Sequence, residues 1–221
     1  MMAKGSTLNK SIRVIKQNNL FVIIYEVIKR IFLFFHLRYC RFYTWIKLKG
    51  NGVKFSSFVT KGVPMIDVKI GATFTIGENF RMNNGKYYNK IGRQQPSSFV
   101  VAKNAVLTFG DNVGLSSSSF FCSLKITVGN NVMIGGNCVF YDTDFHSLNF
   151  LDRRDRFLDS ANRKSAPVII EDDVFIGAHS TILKGVTIGH CSVIGSGSLV
   201  SKSIPPNEIW GGNPAKFIKS V

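Results

Sequence analysis

The sequence is short of acidic charge. Against 28 lysines and arginines stand 13 aspartates and glutamates, a formal net charge of +15. The deficit is concentrated at the start, where residues 1–61 carry twelve basic side chains and one acid, Glu26. A basic, aromatic-rich flank of this kind can meet anionic lipid, nucleic acid or an acidic glycan. Cysteine is also sparse. Cys40, Cys122, Cys138 and Cys191 form no CxxC pair and no His/Cys cluster at metal spacing. That argues against a disulfide framework or a zinc site, and for small buried or corner residues in a reducing compartment. Long apolar runs are missing too. Glu26, Lys29 and Arg30 interrupt the stretch from Leu20 to Leu37, so no run approaches the ~20 residues of a spanning helix. Residues 1–19 are polar and basic, and no small-residue cleavage site follows the apolar stretch. No signal peptide is therefore expected. The expected location is cytoplasmic, with peripheral contact at the inner face of the membrane open.

What is present is a period of six. Over 168–204 an aliphatic residue returns at Ile170, Ile176, Ile182, Ile188, Ile194 and Val200. Four residues after each comes a small or branched one: Val174, Ser180, Val186, Ser192, Ser198 and Ile204. Neither a helix period nor strand alternation gives this pattern. It describes a flat strand, a turn and the next flat strand, three sides to a coil. Each coil buries its apolar face only against the next, so the unit must repeat.

Three segments follow. Residues 1–52 form a basic apolar N-terminal helical segment. Leu20, Ile23, Ile24, Val27, Ile28, Ile31, Phe34 and Phe35 keep helical spacing. Residues 19–49 either lie on a membrane with Arg38, Arg41, Trp45, Lys47 and Lys49 at the headgroups, or pack on the first coil or a neighbouring subunit. Residues 53–204 carry the repeats, interrupted by a polar loop at 83–98 and a charged, Arg-rich loop at 141–167. An insertion of that length in a regular solenoid points to function. Pro205-Pro206 ends the repeats, and 205–221 is a closing tail.

DTDFHSL at 142–148, DDVFIGAHSTILKGVTIG at 172–189, VIGSGSLVSKSIPP at 193–206 and GNPAKFIK at 212–219 together resemble the hexapeptide-repeat acyltransferases. The similarity is to their sugar and polysaccharide O-acetyltransferase branch, the maltose- and galactoside-type enzymes, and it covers about 53–221. The resemblance implies a left-handed parallel β-helix with an N-terminal α-helical segment and a short C-terminal tail. It implies acetyl-CoA as donor, a glycan acceptor, and a homotrimer with active sites in the grooves between subunits.

Acetyl transfer from a thioester to a hydroxyl needs a base for the hydroxyl proton, a donor for the oxyanion, and in-line placement of both substrates. Imidazole suits the first task. His146 matches the family's catalytic histidine and is assigned as general base. Asp144 and Asp142 precede it, and either can hold the imidazole tautomer, bind acceptor hydroxyls or stabilise a turn; Asp144 is preferred. The resemblance places the oxyanion donor at the backbone N–H of Ala178. It also places Phe175 where relatives carry a tryptophan beside pantetheine. Ser196, Ser201, Lys202, Lys216 and Lys219 correspond to positions along the donor, the lysines meeting its phosphates. Tyr88 and Arg93 of the first loop are candidate acceptor-binding groups. Arg153, Arg154, Arg156, Arg163 and Lys164 either bind an acidic acceptor or pair with Asp152, Asp155 and Asp159. His179 and His190 fall at coil corners and His36 on the N-terminal helix.

The leading reading is acetyl-CoA-dependent O-acetylation of a sugar hydroxyl on a surface polysaccharide or its precursor. No covalent intermediate is required, since no activated Ser or Cys is evident. The alternative keeps fold and donor but acylates an amine. A metal-dependent hydratase needs three converging histidines, and no metal is expected. No nucleic-acid-binding module is recognised.

Overall fold

The computed structural model describes residues 19–91 and 95–221. The described residues fall into two units, divided between Tyr39 and Cys40. Leu20–Gly50 is one continuous helix, α1. In the first unit its large apolar side chains are exposed and none of the described residues is buried. In the second unit the last turns of α1 bury Cys40, Thr44 and Leu48. Leu48 joins the core cluster, its carbonyl accepts from the Val53 N–H at 3.0 Å, and Lys47 Nζ donates to the Pro64 carbonyl at 3.0 Å. This part of the helix covers the first coil, the end that a solenoid must protect.

The repeats form three parallel sheets, each strand stacked on its counterpart in the next coil. Face A runs Lys54–Phe55, Thr73–Ile76, Val106–Phe109, Lys125–Val128, Val168–Ile170 and Thr187–Ile188. Face B runs Phe58–Lys61, Phe80–Asn83, Gly114–Ser116, Met133–Gly136, Phe175–Ile176 and Val193–Ile194. Face C runs Met65–Val68, Ser98–Val101, Ser119–Cys122, Val139–Tyr141, Thr181–Ile182 and Leu199–Val200. The fold is the left-handed parallel β-helix, and the corners are named AB, BC and CA in chain order. Ile170 stands over Ile188, Ile176 over Ile194 and Ile182 over Val200, each pair three hexads apart. All six are buried, as are the residues four positions on. The buried serines are satisfied at the corners. Ser180 Oγ donates to the Gly177 carbonyl at 2.8 Å, Ser192 Oγ to that of Pro205 at 2.8 Å and Ser198 Oγ to that of Gly195 at 2.6 Å, so a hydroxyl costs the column little.

Corner chemistry explains the Asn-rich punctuation. The third residue after many inward hexad positions is left-handed: Asn79, Asn112, Asn131, Asp173, His179 and Cys191 have φ of 54–64°. Asn and Asp enter that region at the lowest cost among residues with a Cβ. The earlier coils are filled by Phe74, Phe80, Phe99, Phe109, Phe120 and Phe140, all buried. Phe120 and Phe140 stack at 4.3 Å between centroids. In these coils most strands have four residues with two facing inward, against two residues in the Ile/Val/Ser coils. The hexad register slips there because the step from Leu115 to Phe120 is one residue short and that from Phe120 to Val128 two long.

The first loop leaves face B after Asn83 and returns at Ser98 on face C. The second spans the CA corner after Tyr141 and contains structure of its own: a 3-10 turn at Asp152–Arg154 and a short helix, α2, at Arg156–Asn162, N-capped by Asp155. The closing segment is also ordered. Glu208–Gly211 extends face B parallel to Val193–Ile194, and Lys216–Ser220 returns antiparallel along it.

Candidate active site

His146 is presented to solvent, with its side chain 69% exposed, at the start of the CA loop. Phe145, just before it, has φ +65°, a conformation costly for a bulky side chain. Its ring is held between Phe121 at 4.6 Å and Tyr141 at 5.2 Å. His146 Nδ1 lies 2.7 Å from Asp159 Oδ2, and Asp159 Oδ1 accepts from the Ser147 N–H at 2.7 Å. A carboxylate only accepts, so Nδ1 carries the proton and the Nε2 lone pair is available as a base. The hydrogen bond from His146, and then that from Ser147, hold the Asp159 carboxyl below the usual carboxylate range. Ser147 is fixed in turn: its Oγ donates to Asp152 Oδ2 at 2.7 Å and its carbonyl accepts from Arg153 Nη1 at 2.7 Å.

Neither Asp144, the preferred candidate, nor Asp142 holds the imidazole. Asp144 forms an ion pair with Lys184 at 2.6 Å, one coil on at the same corner. Asp142 is fully buried and accepts three backbone N–H groups, from Ser123 at 2.7 Å, Leu124 at 2.7 Å and Lys125 at 2.8 Å. Its oxygens organise the preceding CA corner and do not face an acceptor. Among the described residues the loop arginines form no ion pair with Asp152, Asp155 or Asp159, though the Arg153 charge also helps to hold the Asp159 carboxyl low. Those three are occupied: Asp152 by Ser147 and Asn162, Asp155 as the α2 cap, Asp159 by His146.

Ala178 sits at the BC corner after Phe175–Ile176. At three of the AB corners the equivalent N–H has a side-chain acceptor from the next coil. Glu78 donates to Asp111 at 2.7 Å, Asp111 to Asn130 at 2.8 Å and Asn130 to Asp172 at 2.7 Å. The Ala178 N–H donates to no group among the described residues. The residue stacked beyond it is Ser196, whose backbone N stands 2.5 Å from where a Cβ on Gly177 would fall. Only glycine at 177 permits that approach. Beside this corner, face B carries a groove of about 410 Å³ lined by Arg81, Asn83, Gly114, Ser116, Met133 and Phe175. Arg81, Gly114, Met133 and Phe175 are consecutive rungs of one outward ladder, and Gly114 leaves open space where a side chain would stand.

Ser196 shares the BC corner with Ala178, and Lys216 and Lys219 lie on the outer strand of face B, exposed. Ser201 and Lys202 lie at the CA corner, so one subunit does not bring the donor-end residues together, nor Ala178 with His146. Tyr88 is half-buried, with its phenol pushed up by burial and then by nearby Cys40. It faces the C-terminal part of α1, from the BC corner rather than the His146 loop. Arg93 lies outside the described residues. His146, His179 and His190 occupy the CA loop, a BC corner and an AB corner, and do not converge in one subunit. Burial pushes the Cys122 thiol up to about 12 and the Cys138 thiol up to about 11, so neither is a nucleophile. Sequence reasoning missed Asp159, Arg81, Asn83 and Met133. The glycine inside a strand hexad at 114 was a readable signal of a groove. Nothing in the sequence marked Asp159, thirteen residues from His146.

Residues 167–202 match the family described as bacterial transferase hexapeptide (six repeats), and 125–140 match the hexapeptide repeat of succinyl-transferase. An inferred acetyltransferase of Staphylococcus aureus (strain MRSA252) is 42% identical over 164 residues, 64% of this chain and 76% of that one. An inferred acetyltransferase of Schizosaccharomyces pombe is 46% identical over 96 residues, and the galactoside O-acetyltransferase of Escherichia coli K12 is 38% identical over 96. The match to each of these two spans 43% of this chain and 44% of theirs, less than half the relative's length. The solved maltose O-acetyltransferase of Clostridium difficile 630 superposes with a TM-score of 0.52 at 25% identity, over 86% of this chain and 88% of that one.

Proposed function

The chain belongs to the hexapeptide-repeat acetyltransferase family, and from that premise we propose that it transfers the acetyl group of acetyl-CoA to a sugar hydroxyl of a surface polysaccharide or its precursor. The observation that carries this reading is the His146–Asp159 pair, which engages Nδ1 and leaves the rest of an exposed ring free for an acceptor. His146 Nε2 takes the hydroxyl proton as the acceptor oxygen attacks the thioester carbonyl carbon. The Ala178 N–H donates to the oxyanion. Collapse breaks the C–S bond and the departing CoA thiolate takes the proton from the imidazolium. The galactoside and maltose relatives support a sugar acceptor.

Because Ala178 and His146 belong to different corners of one subunit, the working site combines the BC corner of one copy with the CA loop of the next. A homotrimer closes such head-to-tail contacts. The groove on face B takes the acceptor, with Arg81 and Asn83 at its polar end, and Phe175 lies along the pantetheine. Ser196 and Ser201 border the donor, and Lys202, Lys216 and Lys219 meet its phosphates as point charges. Arg154 and Arg156 of the CA loop, exposed and in no ion pair among the described residues, favour an anionic glycan. The test is a panel of neutral and acidic oligosaccharides incubated with acetyl-CoA, followed by product analysis. A base-labile acetyl ester supports the reading. A base-stable amide, formed only with amino sugars, contradicts it.

A further inference from the structure

We propose that residues 20–39 of α1 form a docking surface for an anionic lipid bilayer, with the helix lying in the plane of the membrane interface. No described residue of this stretch is buried, and the exposed side chains are large: Phe21 is 75% exposed, Phe32 68% and Phe35 64%. At 3.6 residues per turn most of the apolar side chains occupy one arc of roughly 200°, from Ile23 through Ile31 and Phe35 round to Tyr25. Glu26, Lys29, Arg30 and His36 share the remaining sector with Val22, Leu33 and Leu37. An arc that broad suits burial in the acyl boundary with the polar sector in the headgroups. No described helix is long and apolar enough to cross a membrane.

Charge selects the kind of surface. Glu26 is taken by Lys29 at 2.9 Å, leaving Arg30 and Arg38 as uncompensated cations. Arg38 emerges within the apolar arc with its guanidinium 4.7 Å from the centroid of the Phe34 ring, the posture of a long cation reaching from apolar surroundings to a headgroup. The sequence before the helix adds Lys4, Lys10, Arg13 and Lys16. A second copy of the helix would bring like charges together, and its seam would need a narrow stripe rather than a broad arc. An anionic bilayer matches both the arc and the charge.

Co-sedimentation of the full chain with vesicles tests this without any acyl acceptor, so the outcome does not depend on the acetyl-transfer reading. The protein pellets with phosphatidylglycerol-rich vesicles, weakly with phosphatidylcholine alone, and is released by salt. Ile24→Glu with Ile31→Glu abolishes pelleting while the β-helix keeps its thermal midpoint. Arg30→Gln with Arg38→Gln weakens partitioning roughly thirtyfold. Wild-type protein that stays in the supernatant with anionic vesicles overturns the proposal, as does an apolar-arc variant that pellets normally. So does an apolar-arc variant whose mass by light scattering falls below that of wild type, since a second copy would then be the occupant.

Discussion

Asp159 holds His146 from thirteen residues further along the chain, with Oδ2 2.7 Å from Nδ1. Its second oxygen clamps the Ser147 N–H. One carboxylate thus fixes both the tautomer of the imidazole and the backbone beside it. Asp159→Ala should lower kcat by about tenfold to hundredfold and leave the KM for acetyl-CoA within about twofold. Asp144→Ala breaks the ion pair with Lys184 instead and should leave kcat much closer to wild type. Steady-state kinetics on both variants decides between the two carboxylates.

The pH dependence follows from the same pair. The folded-state carboxyl of Asp159 titrates below its usual range. Its contribution to stability is therefore complete above the unfolded carboxylate value and is lost as pH falls through the lowered folded value. Asp159→Asn removes that titrating carboxylate. The thermal midpoint of the variant should therefore fall less steeply than that of wild type as pH drops below the ordinary carboxylate range. Equal acid-induced losses in the two proteins would contradict this.

Asp142 is expected to act on stability alone. Asp142→Ala strands three part-buried backbone donors, a cost of about 3 kcal/mol. Urea denaturation should show the loss as a lower midpoint at an unchanged slope. Residual folded protein should retain donor binding.

The repeat architecture was legible because period six reports burial directly. Ile176, Ser180 and Ile182 were read as inward, and all three are buried. The aromatic coils were harder, since Phe74, Phe109 and Phe120 are carried mostly by longer strands with two inward residues, and the corners beside Phe120 differ in length. The site was legible only where a local motif carried it. DTDFH marked His146, but proximity in sequence suggested Asp144 and Asp142 as its partners. Other partners claim both: the backbone of the Ser123–Lys125 corner takes Asp142, and the Lys184 ammonium takes Asp144. The true partner is delivered by α2, a helix hidden inside a segment that reads as charged loop.

The acceptor's charge is testable through the same loop. Arg154 lies over the Phe150 ring at 5.4 Å, and Arg156 is exposed at the start of α2. Arg154→Gln with Arg156→Gln should raise KM for uronate-containing oligosaccharides by about tenfold or more. Neutral acceptors should be unaffected, and added salt should narrow the difference. Equal losses on both acceptor classes would remove charge recognition from the loop.

The most direct measurement of the central claim is the initial rate of CoA release from acetyl-CoA in the presence of a sugar acceptor, compared between wild type and His146→Ala. The account predicts release that depends on the acceptor and falls by about a hundredfold or more in the variant, with acetyl-CoA still bound. Acceptor-dependent release that persists undiminished in His146→Ala would contradict it.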